Sequence, residues 1–142
     1  MDNTSIKLSI KSDAKNVGFV CQTVKGFLEN LNIEKSISDK IELCLAEALN
    51  NIIRHSYKNN PENLVNIKVE KEGSEIKIIL VDYGIPRPED VKPSLCFDPE
   101  DIENLPEGGF GLFLIDNLMD ENIYKTVDGK NVLLLKKYVG MN

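Results

Sequence analysis

Three polar residues spaced four apart could do chemistry together. Glu47, Asn51 and His55 lie in a segment whose apolar residues recur every three or four positions, so a helix would stack them about one turn apart. A carboxylate there can accept a proton from a hydroxyl group, and an asparagine oxygen can bind Mg²⁺. Arg54 lies on the same side. Taken alone, this row is more often a solvated helix face with an i, i+4 hydrogen bond.

Asp82 follows the apolar run 76–81 and precedes a short turn-forming sequence. A carboxylate at a strand end can accept a hydrogen bond from an exocyclic amine such as that of adenine. Gly84 would let a ring approach the backbone without a Cβ in the way. By itself, the D-x-G-x-P pattern is explained equally well by a turn.

A glycine cluster at 108–111 opens the next apolar segment. At a helix start its backbone N–H groups would lie at the positive end of the helix dipole, where anions such as phosphates bind. The spacing fits neither a P-loop nor a dinucleotide fingerprint. A lone cluster of this kind could also serve only to relieve crowding.

The apolar pattern predicts the elements that position these residues. Three- and four-residue spacing predicts helices over about 13–31 and 36–58, capped by Ser12 or Asp13 and by Ser36 or Ser38, and a third helix just after residue 111. Alternating or continuous apolar runs predict strands near 6–10, 65–69, 76–81, 123–126 and 132–138. This order predicts an α+β fold with one domain over residues 1–142. Its architecture would be a two-layer sandwich with three helices on one face of a mixed, mostly antiparallel sheet.

The segment 86–107 cannot be a regular element, because it holds five of the six prolines. It also holds seven acidic residues against two basic ones, for a net charge of −5. Long loops within compact domains are uncommon unless they are lids or binding loops.

Composition excludes several classes of protein. The net charge of −6 argues against a nucleic-acid partner, and no apolar stretch approaches the length of a membrane span, so we expect a cytoplasmic protein. Cys21, Cys44 and Cys96 are widely spaced and lack a C-x-x-C pair, which predicts buried or idle thiols.

The order of the three motifs is more specific than any one of them. EALNNIIRH, VDYGIP and GGFGLFLIDNLMDE resemble the N, G1 and G2 boxes of the GHKL ATPases, whose nucleotide-binding domain has the Bergerat fold. Within that superfamily, the small size and the E-x-x-x-N-x-x-x-H form of the first box resemble the anti-sigma-factor serine/threonine kinases. The resemblance covers nearly the whole chain.

The resemblance implies a role for each matching position, with ATP and Mg²⁺ as cofactors. Glu47 would be the general base, Asn51 the Mg²⁺ ligand and Asp82 the adenine contact, while residues 86–107 would form the ATP lid. The other implied ATP contacts are Arg54, His55, Gly84, Pro86, Gly108, Gly109, Phe110, Gly111 and Leu112.

The resemblance also implies partners. Such kinases phosphorylate a serine or threonine on a STAS-type antagonist, bind a sigma factor and control it by partner switching; many form homodimers. The acidic lid is expected to face outward, towards a basic patch on a protein partner.

Two departures from the family pattern keep alternatives open. Glu107 stands where some relatives have an arginine, and Gly129-Lys130 where many have a Gly-Thr pair. The chain could therefore be a nucleotide-binding regulatory module without kinase activity. A detached ATP-binding domain of a histidine kinase is a further alternative, although His55 is the only histidine.

Overall fold

The computed structural model describes residues 3–87 and 109–140, in which the chain forms five strands, three α-helices and one π-helical turn. The strands are β1 (Asn3–Lys11), β2 (Leu64–Glu72), β3 (Glu75–Asp82), β4 (Glu121–Val127) and β5 (Lys130–Tyr138). The helices are α1 (Lys15–Asn30), α2 (Lys35–Asn51), the π-helical turn Ile52–Ser56 directly after it, and α3 (Gly109–Leu118).

The strands form a single sheet in the order β1-β2-β3-β5-β4. Every pairing among the described strands is antiparallel, whereas the sequence predicted a mixed, mostly antiparallel sheet. Alternate residues of β2, β3 and β5 are buried, as expected for a sheet with one face against the core and one face towards solvent. The predicted α+β two-layer sandwich with three helices is confirmed.

The core lies between the sheet and the helices as one continuous cluster. It joins fully buried side chains such as Leu28, Leu45 and Leu49 of the helices to Ile78 and Leu135 of the sheet. α2 contacts both α1 and α3, so it is the central helix of its layer. Glu47 and Asn51 therefore lie on the helix that is packed between the other two.

Of the two predicted caps of α1, the structure supports Asp13 and not Ser12. The helix begins at Lys15 after Ala14, and Oδ1 of Asp13 accepts from the Lys15 N–H at 3.0 Å. Ser12 is buried instead: its hydroxyl donates to the Asn60 carbonyl oxygen (2.5 Å) and accepts from the Asn63 N–H (3.0 Å). Its hydrogen bonds therefore tie the end of β1 to the loop before β2, because a buried hydroxyl must find partners where it lies.

Neither of the two serines predicted to cap α2 does so. The helix begins at Lys35 after Glu34, one turn earlier than a Ser38 cap would allow. Ser38 is buried within the helix, and Ser36 donates its hydroxyl to the Glu34 carboxylate at 2.9 Å.

The third helix also begins earlier than predicted. It starts at Gly109, so Gly109 and Gly111 lie within its first turn rather than before it. Its buried core contact is Ile115, with Met119 just beyond its end. Residue 108 lies outside the described part of the chain.

The hairpin turns and the thiols follow prediction. Asp128 and Gly129 both have positive φ, 51° and 76°, as expected for the two-residue turn between β4 and β5. Cys21 and Cys44 are buried free thiols, and burial raises the pKa of each to about 11. Cys96 lies outside the described residues, as does nearly all of the predicted lid 86–107.

Within residues 3–87 and 109–140, none of the helices is both long enough and apolar enough to cross a membrane.

Candidate functional site

The helix that carries the polar row changes its winding where the row continues. After Asn51 the chain forms a π-helical turn, in which the Tyr57 N–H donates to the Ile52 carbonyl oxygen at 3.1 Å. Ile52 and Ile53 are buried in this turn and hold it on the core. Single π-helical turns inside or at the end of helices are frequent at functional sites.

Glu47 and Asn51 share a half-buried position at the edge of the core, as the sequence predicted. The side-chain nitrogen of Asn51 is buried and has no hydrogen-bond partner among the described residues. A buried amide without a partner costs free energy, so such a group is expected where a ligand supplies the missing contact. A phosphate oxygen could accept from this nitrogen, and rotating the amide by half a turn would present its oxygen to a metal ion.

Arg54 and His55 lie in the π-helical turn, and both are exposed. Because a π-helical turn is wider than an α-helical one, His55 does not continue the straight row that an α-helix would give to Glu47 and Asn51. Their contact with a nucleotide stays a prediction.

Asp82 is the most buried charged residue of the site, with only 2% of its surface exposed. Its Oδ1 accepts two hydrogen bonds, from Nδ2 of Asn131 at 2.8 Å and from the N–H of Gly84 at 3.0 Å. Burial raises the pKa of the Asp82 carboxyl above its ordinary value, while hydrogen bonds from Asn131, Gly84 and Ser56 act in the opposite direction.

Gly84 lies against the protein itself. A Cβ at this position would lie only 2.7 Å from the carbonyl carbon of Ser56 and 2.8 Å from Cδ1 of Tyr57. The next residue, Ile85, donates its N–H to the Ser56 carbonyl oxygen at 2.8 Å. Glycine is therefore required for β3 to end against the π-helical turn, which differs from the ring clearance that the sequence suggested. A nucleotide contact at Gly84 stays a prediction.

Tyr57 fastens the same junction. Its buried hydroxyl donates to the Leu64 carbonyl oxygen at 2.5 Å and accepts from the Tyr83 N–H at 2.8 Å. The end of the α2 segment is thus bonded to the start of β2 and to the residue that follows Asp82. The residues that follow the helix row and those that follow the strand-end carboxylate therefore meet at one joint.

The glycine motif begins a helix that packs against the same central helix. α3 contacts α2 directly, and Gly109 and Gly111 lie at its first turn. The N–H groups of a first helical turn have no partners within the helix and attract anions. The side chains of Phe110 and Leu112 and all of Gly108 lie outside the described part, so their predicted roles are untested.

The beginning of the acidic segment is anchored to the far edge of the sheet. The Arg87 N–H donates to the Tyr124 hydroxyl at 2.9 Å, and the Arg87 guanidinium lies 4.2 Å from the centre of the Tyr124 ring. Burial lowers the pKa of Arg87. Pro86 is exposed beside it, and its predicted ATP contact is untested.

Sequence reasoning missed Ser56, Tyr57, Thr126 and Asn131. One signal for Asn131 was available. Every second residue of the strand faces the same way, and Leu133 and Leu135 face inward, so the sequence places this polar side chain on the core face. No pattern could have found Ser56 and Tyr57, because their contacts depend on the π-helical turn.

The arrangement defines a class of protein. A buried acceptor at a strand end, a buried amide that lacks a partner, and a glycine-containing helix start packed on the same central helix together suit a nucleotide with a phosphate chain.

Known proteins agree with this class. Residues 10–137 match the family described as histidine kinase-like ATPase domain. The chain is 30% identical over 136 residues to the serine-protein kinase RsbW of Staphylococcus epidermidis, a match that covers 92% of this chain and 85% of the relative. The chain belongs to the histidine kinase-like ATPase family. The relative from Staphylococcus epidermidis is named as a serine-protein kinase.

Solved structures show the same fold. A Mycobacterium tuberculosis chain with RsbU and RsbW domains superposes with a TM-score of 0.66 at 13% identity, covering 96% of this chain and 32% of that one. A chain of the SiaB–SiaC complex from Pseudomonas aeruginosa superposes with a TM-score of 0.62 at 12% identity, covering 93% of this chain and 87% of that one.

Proposed function

We propose that the chain is an ATP-dependent protein serine/threonine kinase of the anti-sigma-factor type. In this proposal it phosphorylates a STAS-type antagonist and controls a sigma factor by partner switching in the cytoplasm. The observation that carries the nucleotide site is the joint at which Ser56 and Tyr57, just after the α2 row, bond the residues just after Asp82. In this proposal Asp82 is the base acceptor, and the Asn51 amide without a partner faces the phosphates. Curated relatives named as serine-protein kinases support the choice of reaction.

Each residue of the cleft has a definite task in this proposal. Asp82 accepts a hydrogen bond from the adenine amino group, and Glu47 takes the proton of the attacking hydroxyl. The first N–H groups of α3, at Gly109 and Gly111, bind phosphate oxygens. Phosphoryl transfer depends mainly on positioning and on neutralising charge, so these groups suffice together with a metal.

The metal of this proposal is Mg²⁺, held by Asn51 together with the phosphates and waters. The amide without a partner at Asn51 fits such a role, because one amide oxygen is a hard ligand and Mg²⁺ is usually bound by one or two protein groups. When bound, the ion would neutralise phosphate charge. Among the described residues no group of three acidic, histidine or cysteine side chains could hold a metal by itself.

The test is phosphate transfer from γ-labelled ATP to a purified STAS-domain protein from the same cell. We expect Glu47→Gln to lower the transfer rate by about 100-fold or more while ATP affinity stays within about twofold, because a general base acts in the transition state. Glu42→Gln is the matched control: it lies five positions earlier on the same helix, on a different side, and should leave the rate unchanged.

The result also separates the alternatives. ATP binding without transfer to any STAS protein, and without an effect of Glu47→Gln, would favour a regulatory module; Glu107 and Lys130 are its support in the sequence. Acid-labile label on the chain itself that disappears in His55→Ala would favour a histidine-kinase domain, since His55 is exposed.

Partner contacts remain part of the proposal. A homodimer could form through the open face of the sheet, where exposed apolar residues include Ile123 and Val127. The acidic segment would contact a basic patch on the partner. Neutralising Asp98, Glu100, Asp101 and Glu103 together should then weaken partner binding and its salt dependence.

A further inference from the structure

Asn131 has hydrogen bonds that go beyond what its place at the start of β5 requires. It is buried, with 1% of its surface exposed, and faces the helix layer opposite Asp82 across the β3–β5 pair. Nδ2 donates to Oδ1 of Asp82 at 2.8 Å and to the Gly84 carbonyl oxygen at 3.0 Å. Oδ1 accepts from the Thr126 hydroxyl at 3.0 Å.

These contacts fix the orientation of the amide. A carbonyl oxygen can only accept, and Oδ1 of Asp82 already accepts from the Gly84 N–H, so the nitrogen of Asn131 must face both. Both hydrogens of that nitrogen are then used. The Thr126 hydroxyl donates to the oxygen at the other end of the amide. Turning the amide over would place that oxygen against two acceptors.

The consequence for Asp82 follows from a count of its acceptor positions. An ionised carboxylate offers about four lone-pair positions, and Asn131, Gly84 and Ser56 occupy three of them. One position remains for a donor from a ligand. Since hydrogen bonds to the charged form oppose the effect of burial, Asn131 helps to keep Asp82 an acceptor rather than a donor.

The two common purine types differ at this point. Adenine carries an amino group at C6, which donates a hydrogen bond, whereas a 6-oxopurine carries an oxygen, which only accepts. An acceptor-only carboxylate therefore pairs with the first and leaves an unfavourable oxygen–oxygen contact with the second. The state of Asp82 decides which base fits.

We propose that Asn131 is a positioning residue that holds Asp82 as an acceptor and thereby sets the preference for ATP over 6-oxopurine triphosphates. This inference rests on the proposed nucleotide site. Asn131 also holds the Gly84 carbonyl, so it fixes the backbone next to the carboxylate as well as the carboxylate itself.

The experiment measures the dissociation constants of ATP and inosine triphosphate for the full chain, by calorimetry in excess magnesium. These ligands differ only at C6 of the base and the adjacent ring proton. We expect the wild type to prefer ATP, and Asn131→Ala to weaken ATP about tenfold with less than a twofold change for inosine triphosphate. A merely structural role would weaken both ligands equally and leave their ratio unchanged.

Thr126→Val gives a second, milder variant. Thr126 is exposed, so its loss should leave the fold intact while removing the hydrogen bond that holds Oδ1 of Asn131. We expect the preference for ATP over inosine triphosphate, measured as the ratio of their dissociation constants, to fall by about threefold. Asn66→Ala is the matched control: it removes an asparagine of β2 whose amide bonds Ser9 and Tyr83 outside this network, and should leave the ratio unchanged.

The outcomes separate the two proposals. If the wild type prefers ATP and neither Asn131→Ala nor Thr126→Val alters the ratio, the role of Asn131 is refuted while the nucleotide site stands. If the wild type binds neither triphosphate, both proposals are refuted.

Discussion

The two ends of the proposed nucleotide site, around Asp82 and around Asn51, are built in opposite ways. Around Asp82 the described polar groups are paired: the carboxylate, Asn131 and Gly84 share hydrogen bonds, and the Tyr57 hydroxyl beside them bonds Leu64 and Tyr83. Around Asn51 the amide nitrogen is buried without a partner, and the basic side chains beside it are exposed. In the proposed site, the end around Asp82 (the base end) is therefore formed before a ligand arrives, with one acceptor position left for it. The end around Asn51 (the phosphate end) would gain its partner from the ligand.

This difference suits a kinase. A rigid acceptor selects the nucleotide by its base, which does not change during the reaction. The phosphate chain does change, and groups left without partners gain most when charge develops there. The stability of the nucleotide-free chain should accordingly respond to mutation in opposite directions at the two ends.

The largest expected effect is at the base end. Asp82→Ala would leave donors from Asn131, Gly84 and Ser56 without their acceptor, so we expect the free energy of unfolding to fall by about 3 kcal/mol. Urea unfolding of the nucleotide-free chain measures this. A loss below about 1 kcal/mol would mean that the base end is not preformed.

A smaller loss of stability is expected at the joint between the two ends. Gly84→Ala would place a methyl group against the Ser56 carbonyl and the Tyr57 ring, and we expect a loss of about 2 kcal/mol from this overpacking. Thermal unfolding measures it. Gly26→Ala on α1 is the matched control, since no atom lies within 4 Å of its missing Cβ, and it should be neutral or stabilising.

The smallest effect on stability, with the opposite sign, is expected at the phosphate end. Asn51→Ala removes a buried amide that has no partner, so the nucleotide-free chain should be unchanged or more stable by up to about 1 kcal/mol. Magnesium-dependent ATP affinity should nevertheless fall at least tenfold. A clear loss of stability without a loss of affinity would contradict the contrast between the two ends.

The sequence predicted most of the fold because its periodicity was clear. The alternation at Ile6, Leu8 and Ile10 and the turn at Asp128-Gly129 are local signals, and both elements formed where they were expected. Ser12 does not cap α1, because its hydroxyl makes tertiary contacts with the loop before β2. The start of α2 was misplaced, because Ser36 bonds the nearby Glu34 carboxylate and Ser38 is buried within the helix.

The site was predictable only in part. Glu47, Asn51 and Asp82 could be named because their residue types and spacing indicate chemistry. The residues that position them could not, since Ser56 bonds the end of β3 through both its backbone oxygen and its side chain, and Asn131 acts from a neighbouring strand. Contacts of that kind arise only when distant segments meet.

The hydrogen bond from Ile85 to Ser56 has a consequence for how this chain can vary. It makes the distance along the chain from Asn51 to Tyr57 a spacer between α2, which carries the proposed general base, and the proposed base acceptor. Side chains in that spacer, such as Arg54 and His55, can be exchanged without altering its length. Inserting or deleting a single residue would rotate the helix relative to the strand. The two parts of the proposed site would then be displaced from each other.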